Sequence, residues 1–153
     1  MIADFVAPLD GRLVGLDKVP DPVFSQKILG DGFAIEPVNG EVVSPVNGTV
    51  TTVMDSKHAI GLTSYTGLEI IVHFGIDTVN LCGEGFKVFV KAGDKVKAGQ
   101  PLLAADMNQV IGKVPSVITP IIFTNLTGEI VTIQEGLTVK RGEPVPIALS
   151  WQK

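Results

Sequence analysis

Residues 40–53, GEVVSPVNGTVTTV, set valines and threonines in short runs broken by Ser44-Pro45 and Asn47-Gly48. Runs of that length and composition make strands, and the breakers make turns. The same texture returns in LEIIVHFGI at 68–76, and 17 glycines and 10 prolines maintain it along the chain. Many short antiparallel strands joined by turns imply an all-β sandwich or barrel, with residues 1–153 forming a single domain. The Asp10-Gly11 and Asn47-Gly48 pairs are expected to supply the left-handed positions that tight hairpins need. Helical periodicity is scarce. One short helical turn is expected after Asp21, an N-cap followed by Pro22 at the first helical position, ending near Gly30. A second is expected at Asp106, with Gln109 placed as in a capping box.

A β-unit is duplicated. The stretch at 90–104, VKAGDKVKAGQPLLA, shares Gly-x-x-Val-Lys-x-Gly-x-Pro with IQEGLTVKRGEPVPIA at 133–148, and APLDGRL from Ala7 matches SPVNGTV from Ser44. Two copies are too few for a solenoid, so the repeats fold around one core.

The composition, 45% apolar in 153 residues with positive mean hydropathy, gives ample material for a core. No apolar stretch reaches the roughly 20 residues that span a bilayer, and no basic n-region follows Met1. The expectation is a cytoplasmic protein without direct membrane insertion. A formal charge of −4, spread without runs, argues against a nucleic-acid surface and favours partners with a basic patch. The single cysteine, Cys82, excludes an internal disulfide and a cysteine-based zinc site, and is read as a structural or incidental thiol.

The chemistry concentrates on two histidines. His73 ends an apolar run that breaks at Gly75, with Asp77 close behind, and His58 lies upstream in SKHAIGL. An imidazole on an apolar strand is often a core residue, and either one alone supports that reading. A cluster of two opens others, because neutral imidazole serves as nucleophile, acid/base or ligand near pH 7 once a second hydrogen bond fixes its tautomer. His73 and Asp77 have the spacing of two metal ligands, yet no His-x-His element completes a zinc set. The SPVNGTV and VKAGDKVKAGQPLL elements look like the hammerhead of biotinyl and lipoyl carriers, but no modifiable lysine tip lies between them. A GxSxG elbow and a GxxxxGK[ST] phosphate cradle are both absent. Covalent phosphohistidine chemistry remains: an imidazole nitrogen attacks phosphorus, while a second histidine and the Ser56 hydroxyl stabilise the charge that develops.

Three further stretches carry a resemblance. VPDPVFSQKILGDGFAIEP at 19–37, SKHAIG at 56–61 and VHFGIDTVNLCGEGF at 72–86 closely resemble the glucose-type enzyme IIA of the bacterial phosphoenolpyruvate-dependent sugar phosphotransferase system, in order and spacing, over nearly the whole chain. The resemblance implies that His73 takes phosphate on Nε2 from the carrier protein HPr, its Nδ1 donating to the Gly75 carbonyl. It implies that His58 binds the phosphoryl group without being phosphorylated, and that Ser56 stands where the family usually has threonine. Asp21 and Asp77 match carboxylates that meet an arginine of HPr. Val23, Phe24, Ile28, Met54 and Ile71 map to an apolar rim that docks partners. The phosphate would pass to a cysteine of a sugar-specific IIB or IIBC permease, with neither cofactor nor metal. A different class of function, a regulatory binding module switched by phosphorylation, would use the same face.

Overall fold

The computed structural model describes residues 5–151. Thirteen strands follow one another: β1 (Gly11–Val14), β2 (Asp31–Pro37), β3 (Glu41–Val43), β4 (Gly48–Val53), β5 (Ala59–Ser64), β6 (Glu69–His73), β7 (Phe86–Val88), β8 (Lys95–Val96), β9 (Pro101–Ala105), β10 (Thr119–Phe123), β11 (Glu129–Thr132), β12 (Thr138–Val139) and β13 (Ala148–Trp151). Eight of them form one sheet in the order β12-β1-β2-β10-β6-β5-β4-β8; β3-β9-β7 and β11-β13 form smaller ones. Every pairing between these strands is antiparallel. The fold is therefore the expected all-β sandwich.

The duplication is visible in the hydrogen bonds. Gly11 pairs with Val139 at one end of the large sheet and Gly48 with Val96 at the other. Leu13 N donates to Leu137 O as Val50 N donates to Asp94 O, and Gly142 N to Ala7 O as Gly99 N to Ser44 O. The sheet order reads alike from both ends, with β10 and β6 at the centre, so the two units are related by a pseudo-twofold axis. The repeat's glycines are equivalent too: Gly93 and Gly136, and Gly99 and Gly142, all have positive φ, the left-handed region that only glycine enters freely.

The two sequence turns work differently from expectation. Gly11 and Gly48 open strands and neither has positive φ. A Cβ on Gly11 would lie 2.1 Å from the Glu36 carbonyl oxygen, and one on Gly48 would lie 2.2 Å from that of Thr63, so glycine is required for close approach of backbones. The residues before them act as side-chain acceptors instead: Asp10 Oδ1 takes the Arg141 N–H and Asn47 Oδ1 the Ala98 N–H, each at 2.8 Å.

Two apolar clusters lie on opposite faces of the large sheet. The main one holds Leu13, Phe33, Val50, Ile60, Leu62, Ile70, Val72, Ile121 and Phe123. The second joins Ile122, Ala34 and Ile118 to Leu16, Val19 and Phe24 from the β1–β2 connection, with Ile71 packed at its edge. That connection contains α1 (Pro22–Ser25), capped by Asp21, whose Oδ1 accepts the Val23 N–H at 2.9 Å. Turns continue from α1 to Gly30. The later helical turn, α2 (Met107–Val110), is capped by Asp106 through the Asn108 N–H; Gln109 reaches the Asp106 carboxylate at 3.1 Å rather than its backbone N–H, so the capping box is incomplete.

Two glycines in neighbouring strands give a test. Gly48→Ala forces a methyl onto a backbone oxygen and should cost about 1–3 kcal/mol. At Gly61 the nearest atom is the Thr51 hydroxyl oxygen at 3.1 Å, which rotates away, so Gly61→Ala should stay within about 0.5 kcal/mol of wild type. Denaturant midpoints of the two variants check the difference.

Candidate functional site

β6 brings His73 to the edge of the second cluster. Ile70 and Val72 point into the main core while Glu69, Ile71 and His73 face the other way, the alternation a strand imposes. Ala59 of β5 pairs with His73, which places His58, the residue before it, beside the same strand end. The Phe74 N–H donates to the His58 carbonyl at 2.8 Å and extends the pairing by one step. The two rings meet edge to face, 4.6 Å between centroids, and Phe24 of α1 flanks His73 at 5.0 Å.

Each imidazole has one nitrogen committed. His73 Nδ1 lies 2.8 Å from the Gly75 carbonyl oxygen. A carbonyl only accepts, so Nδ1 carries the proton and Nε2 keeps its lone pair when the ring is neutral. The chain reaches this geometry by turning at Gly75, with φ +73, and at Asp77, with φ +58. His58 Nδ1 lies 2.8 Å from the Ser56 hydroxyl.

Burial sets the charge of both rings. His58, 1% exposed, has its pKa pushed down to about 4 by burial and by the neighbouring His73, against the opposing Ser56 carbonyl. Burial also lowers the pKa of His73, opposed first by the Gly75 carbonyl, then by its own backbone and by the carboxylates of Asp21 and Asp77. Both rings are neutral near pH 7. A cleft of about 400 Å³ opens beside His73, walled by Phe24, Leu29, Met54 and Ile71 with Gly61 along it. Among the described residues no cluster of three or more histidine, cysteine, aspartate or glutamate side chains is arranged to hold a metal ion.

An uncharged imidazole pair, with His73 partly open and flanked by carboxylates and apolar surface, agrees with what comparison shows. Residues 3–129 match the family described as phosphoenolpyruvate-dependent sugar phosphotransferase system, EIIA 1. The chain belongs to this family. With membership comes its general role, phosphoryl transfer within that system. The glucose-specific EIIA component of Staphylococcus epidermidis is 47% identical over 138 residues, covering 90% of this chain and 83% of that protein. The glucose-specific EIICBA component of Staphylococcus carnosus is 46% identical over 139 residues; the match takes in 91% of this chain and 21% of that much longer protein. Among solved structures, the glucose permease IIA from Mycoplasma capricolum superposes with a TM-score of 0.87 at 44% identity, covering 94% of this chain and 93% of its own.

In this EIIA chain His58, Ser56, Gly75, Phe24, Met54, Ile71, Asp21 and Asp77 gather around His73. Val23, Ile28 and Met54 are exposed, as a rim requires. Phe24 is buried with one face toward His73, and Ile71 is half-buried along the cleft. Asp21 caps α1, and its carboxylate also opposes the lowering of the His73 pKa, so capping does not remove it from the neighbourhood of the imidazole. Sequence reasoning missed Leu29, exposed on the cleft, and Val79, exposed near Met54 and Ser56. Leu29 follows Ile28 beyond α1 and was legible as its apolar neighbour. Val79 sits in a 3₁₀ turn, Thr78–Leu81, that no periodicity announces. Cys82, also exposed, closes that turn beside Met54 and Ser56.

The depressed His58 pKa fixes a pH dependence. The folded ring resists a proton that the unfolded ring binds below about 6.5, so this contribution to stability is complete above that pH and is lost as pH falls toward about 4. Stability of wild type should therefore drop across that window more steeply than that of His58→Gln. Urea midpoints taken from pH 7 to pH 4 measure it, and parallel curves would contradict the assignment.

Proposed function

We propose that His73 Nε2 accepts a phosphoryl group from the phosphohistidine of HPr and passes it to a cysteine of a sugar-specific IIB domain, alone or within a IIBC permease. The observation that carries this reading is the His73 Nδ1 contact with the Gly75 carbonyl, which leaves Nε2 as the nucleophilic nitrogen beside His58. In the first step the N–P bond of phospho-HPr breaks as the Nε2–P bond forms; in the second that bond breaks as an S–P bond forms. Both nitrogens are high-energy phosphoryl carriers, so no nucleotide is needed. In this reading the Ser56 hydroxyl, 2.8 Å from His58 Nδ1, donates to it, so that the His58 proton sits on Nε2 and binds a phosphoryl oxygen in transit.

Asp21 and Asp77 meet a basic group of the partner, and Val23, Phe24, Ile28, Met54 and Ile71 form the docking rim. The carboxylates would repel a bound phosphoryl dianion, so they favour its departure and the arrival of a cation. The names of the relatives point to glucose as the transported sugar. Sugar would be chosen by the membrane component, and the transfer would take place at its cytoplasmic side.

Incubation with phosphoenolpyruvate, enzyme I and HPr should add about 80 Da in an acid-labile bond, the mass of one phosphoryl group on the nucleophile. His73→Ala should show no gain, and uptake at full stoichiometry in that variant would remove His73 from the role. His58→Gln should still accept phosphate but deliver it to the IIB domain on the order of a hundredfold more slowly, the loss typical of one transition-state donor. Normal delivery by His58→Gln would overturn its part.

A further inference from the structure

The Gly75 carbonyl that holds the His73 proton belongs to the peptide joining Gly75 to Ile76, and the other end of that peptide is also held. The Ile76 N–H donates to the Ser116 carbonyl at 2.9 Å. Ser116 is fixed in turn, its hydroxyl accepting from the Ile118 N–H at 3.0 Å just before β10. An amide whose N–H is engaged becomes a better acceptor at its carbonyl, so Ser116, the Gly75–Ile76 peptide and His73 form a polarised chain of hydrogen bonds. The orientation of that peptide decides whether the chain is complete.

Thr78 sits under this turn and is fully buried. Its hydroxyl donates to the Phe74 carbonyl at 2.7 Å, fixing the peptide before Gly75. Its methyl backs the glycine: a Cβ on Gly75 would come within 2.8 Å of Thr78 Cγ2. One side chain therefore holds the left-handed turn by a hydrogen bond on one side and by packing on the other. We propose that Thr78 is a positioning residue for His73, orienting the Gly75–Ile76 peptide so that its carbonyl keeps the imidazole proton on Nδ1 and the Nε2 lone pair free. Thr78 touches neither the reacting nitrogen nor the phosphoryl group and acts through Gly75. Its catalytic consequence rests on the reading of His73 as the phosphoryl acceptor, whereas its structural consequence does not.

The test uses two readouts on the whole chain. Imidazole ¹⁵N shifts at neutral pH report the tautomer of His73, and uptake of phosphate from phosphoramidate, a small donor that needs no docking, reports reactivity. Wild type should show the Nδ1–H tautomer. Thr78→Val keeps the shape but removes the donor. It should give a mixture of tautomers and uptake on the order of tenfold slower, as expected for loss of one buried hydrogen bond. Thr78→Ser, which retains the hydroxyl, should restore both. A folded Thr78→Val with the wild-type tautomer and rate would overturn the proposal. If that variant fails to fold, Thr78→Ala, which also lacks the donor, takes its place under the same criterion. If wild type takes no phosphate from either phosphoramidate or HPr, the acceptor reading fails, while the tautomer of the variants still decides the role of Thr78.

Discussion

The register of β6 between β5 and β10 is the constraint on which the rest depends. Ile71 lies opposite Ile122 on one side and Gly61 on the other, and His73 lies opposite Ala59. Because side chains alternate, a slip of one residue would carry His73 into the main core and push Val72 out. Ile70, Val72 and Phe74 are each 1% exposed or less, and at roughly 2 kcal/mol per buried apolar side chain they oppose that slip by several kcal/mol. The His73 contact with Gly75 is worth about 1 kcal/mol net. Hydrophobic burial thus places the imidazole, and the hydrogen bond then selects its tautomer.

That division explains how neutral rings persist between carboxylates. Asp21 and Asp77 favour a protonated His73, yet burial outweighs them and the pKa ends below its ordinary value. At His58 no carboxylate plays that part: only the Ser56 backbone opposes burial and the neighbouring ring, and the pKa falls to about 4. A ring 4.6 Å away makes a second positive charge costlier still. An uncharged, half-open imidazole with a fixed lone pair is the state a nucleophile requires at neutral pH.

Local features were legible in the sequence. The strand texture of residues 40–53, the Asp21-Pro22 helix start and the internal repeats all report interactions between residues close in the chain. Strand order was not, because the pairing of Gly11 with Val139 is set by packing across the whole molecule. Glycine misled at positions 11 and 48 because a glycine required for φ and one required for close approach look identical in sequence. The two histidines stood out, but their spacing left metal, core and phosphotransfer readings open, and the resemblance of the surrounding motifs separated them. Thr78 carried no signal, since the acceptor of a buried hydroxyl depends on a turn that folding creates.

The pseudo-twofold frame raises the question of why only one half carries chemistry. Ile121 and Val72 pair next to the axis, so the residue that stands where His73 stands in the other unit is Ile122. Ile122 is fully buried whereas His73 is partly open. The difference follows from the connections rather than from the strands. Between β4 and β5 the chain turns within residues 54–58, but between β1 and β2 it travels through residues 15–30 and forms α1. That longer excursion lays Leu16, Val19 and Phe24 over Ile122 and Ala34, and its last covering ring, Phe24, stops against His73. A symmetric sheet therefore offers two equivalent positions. The unequal loops seal one as core and leave the other as a reactive edge, with the cover of the first supplying a wall of the second.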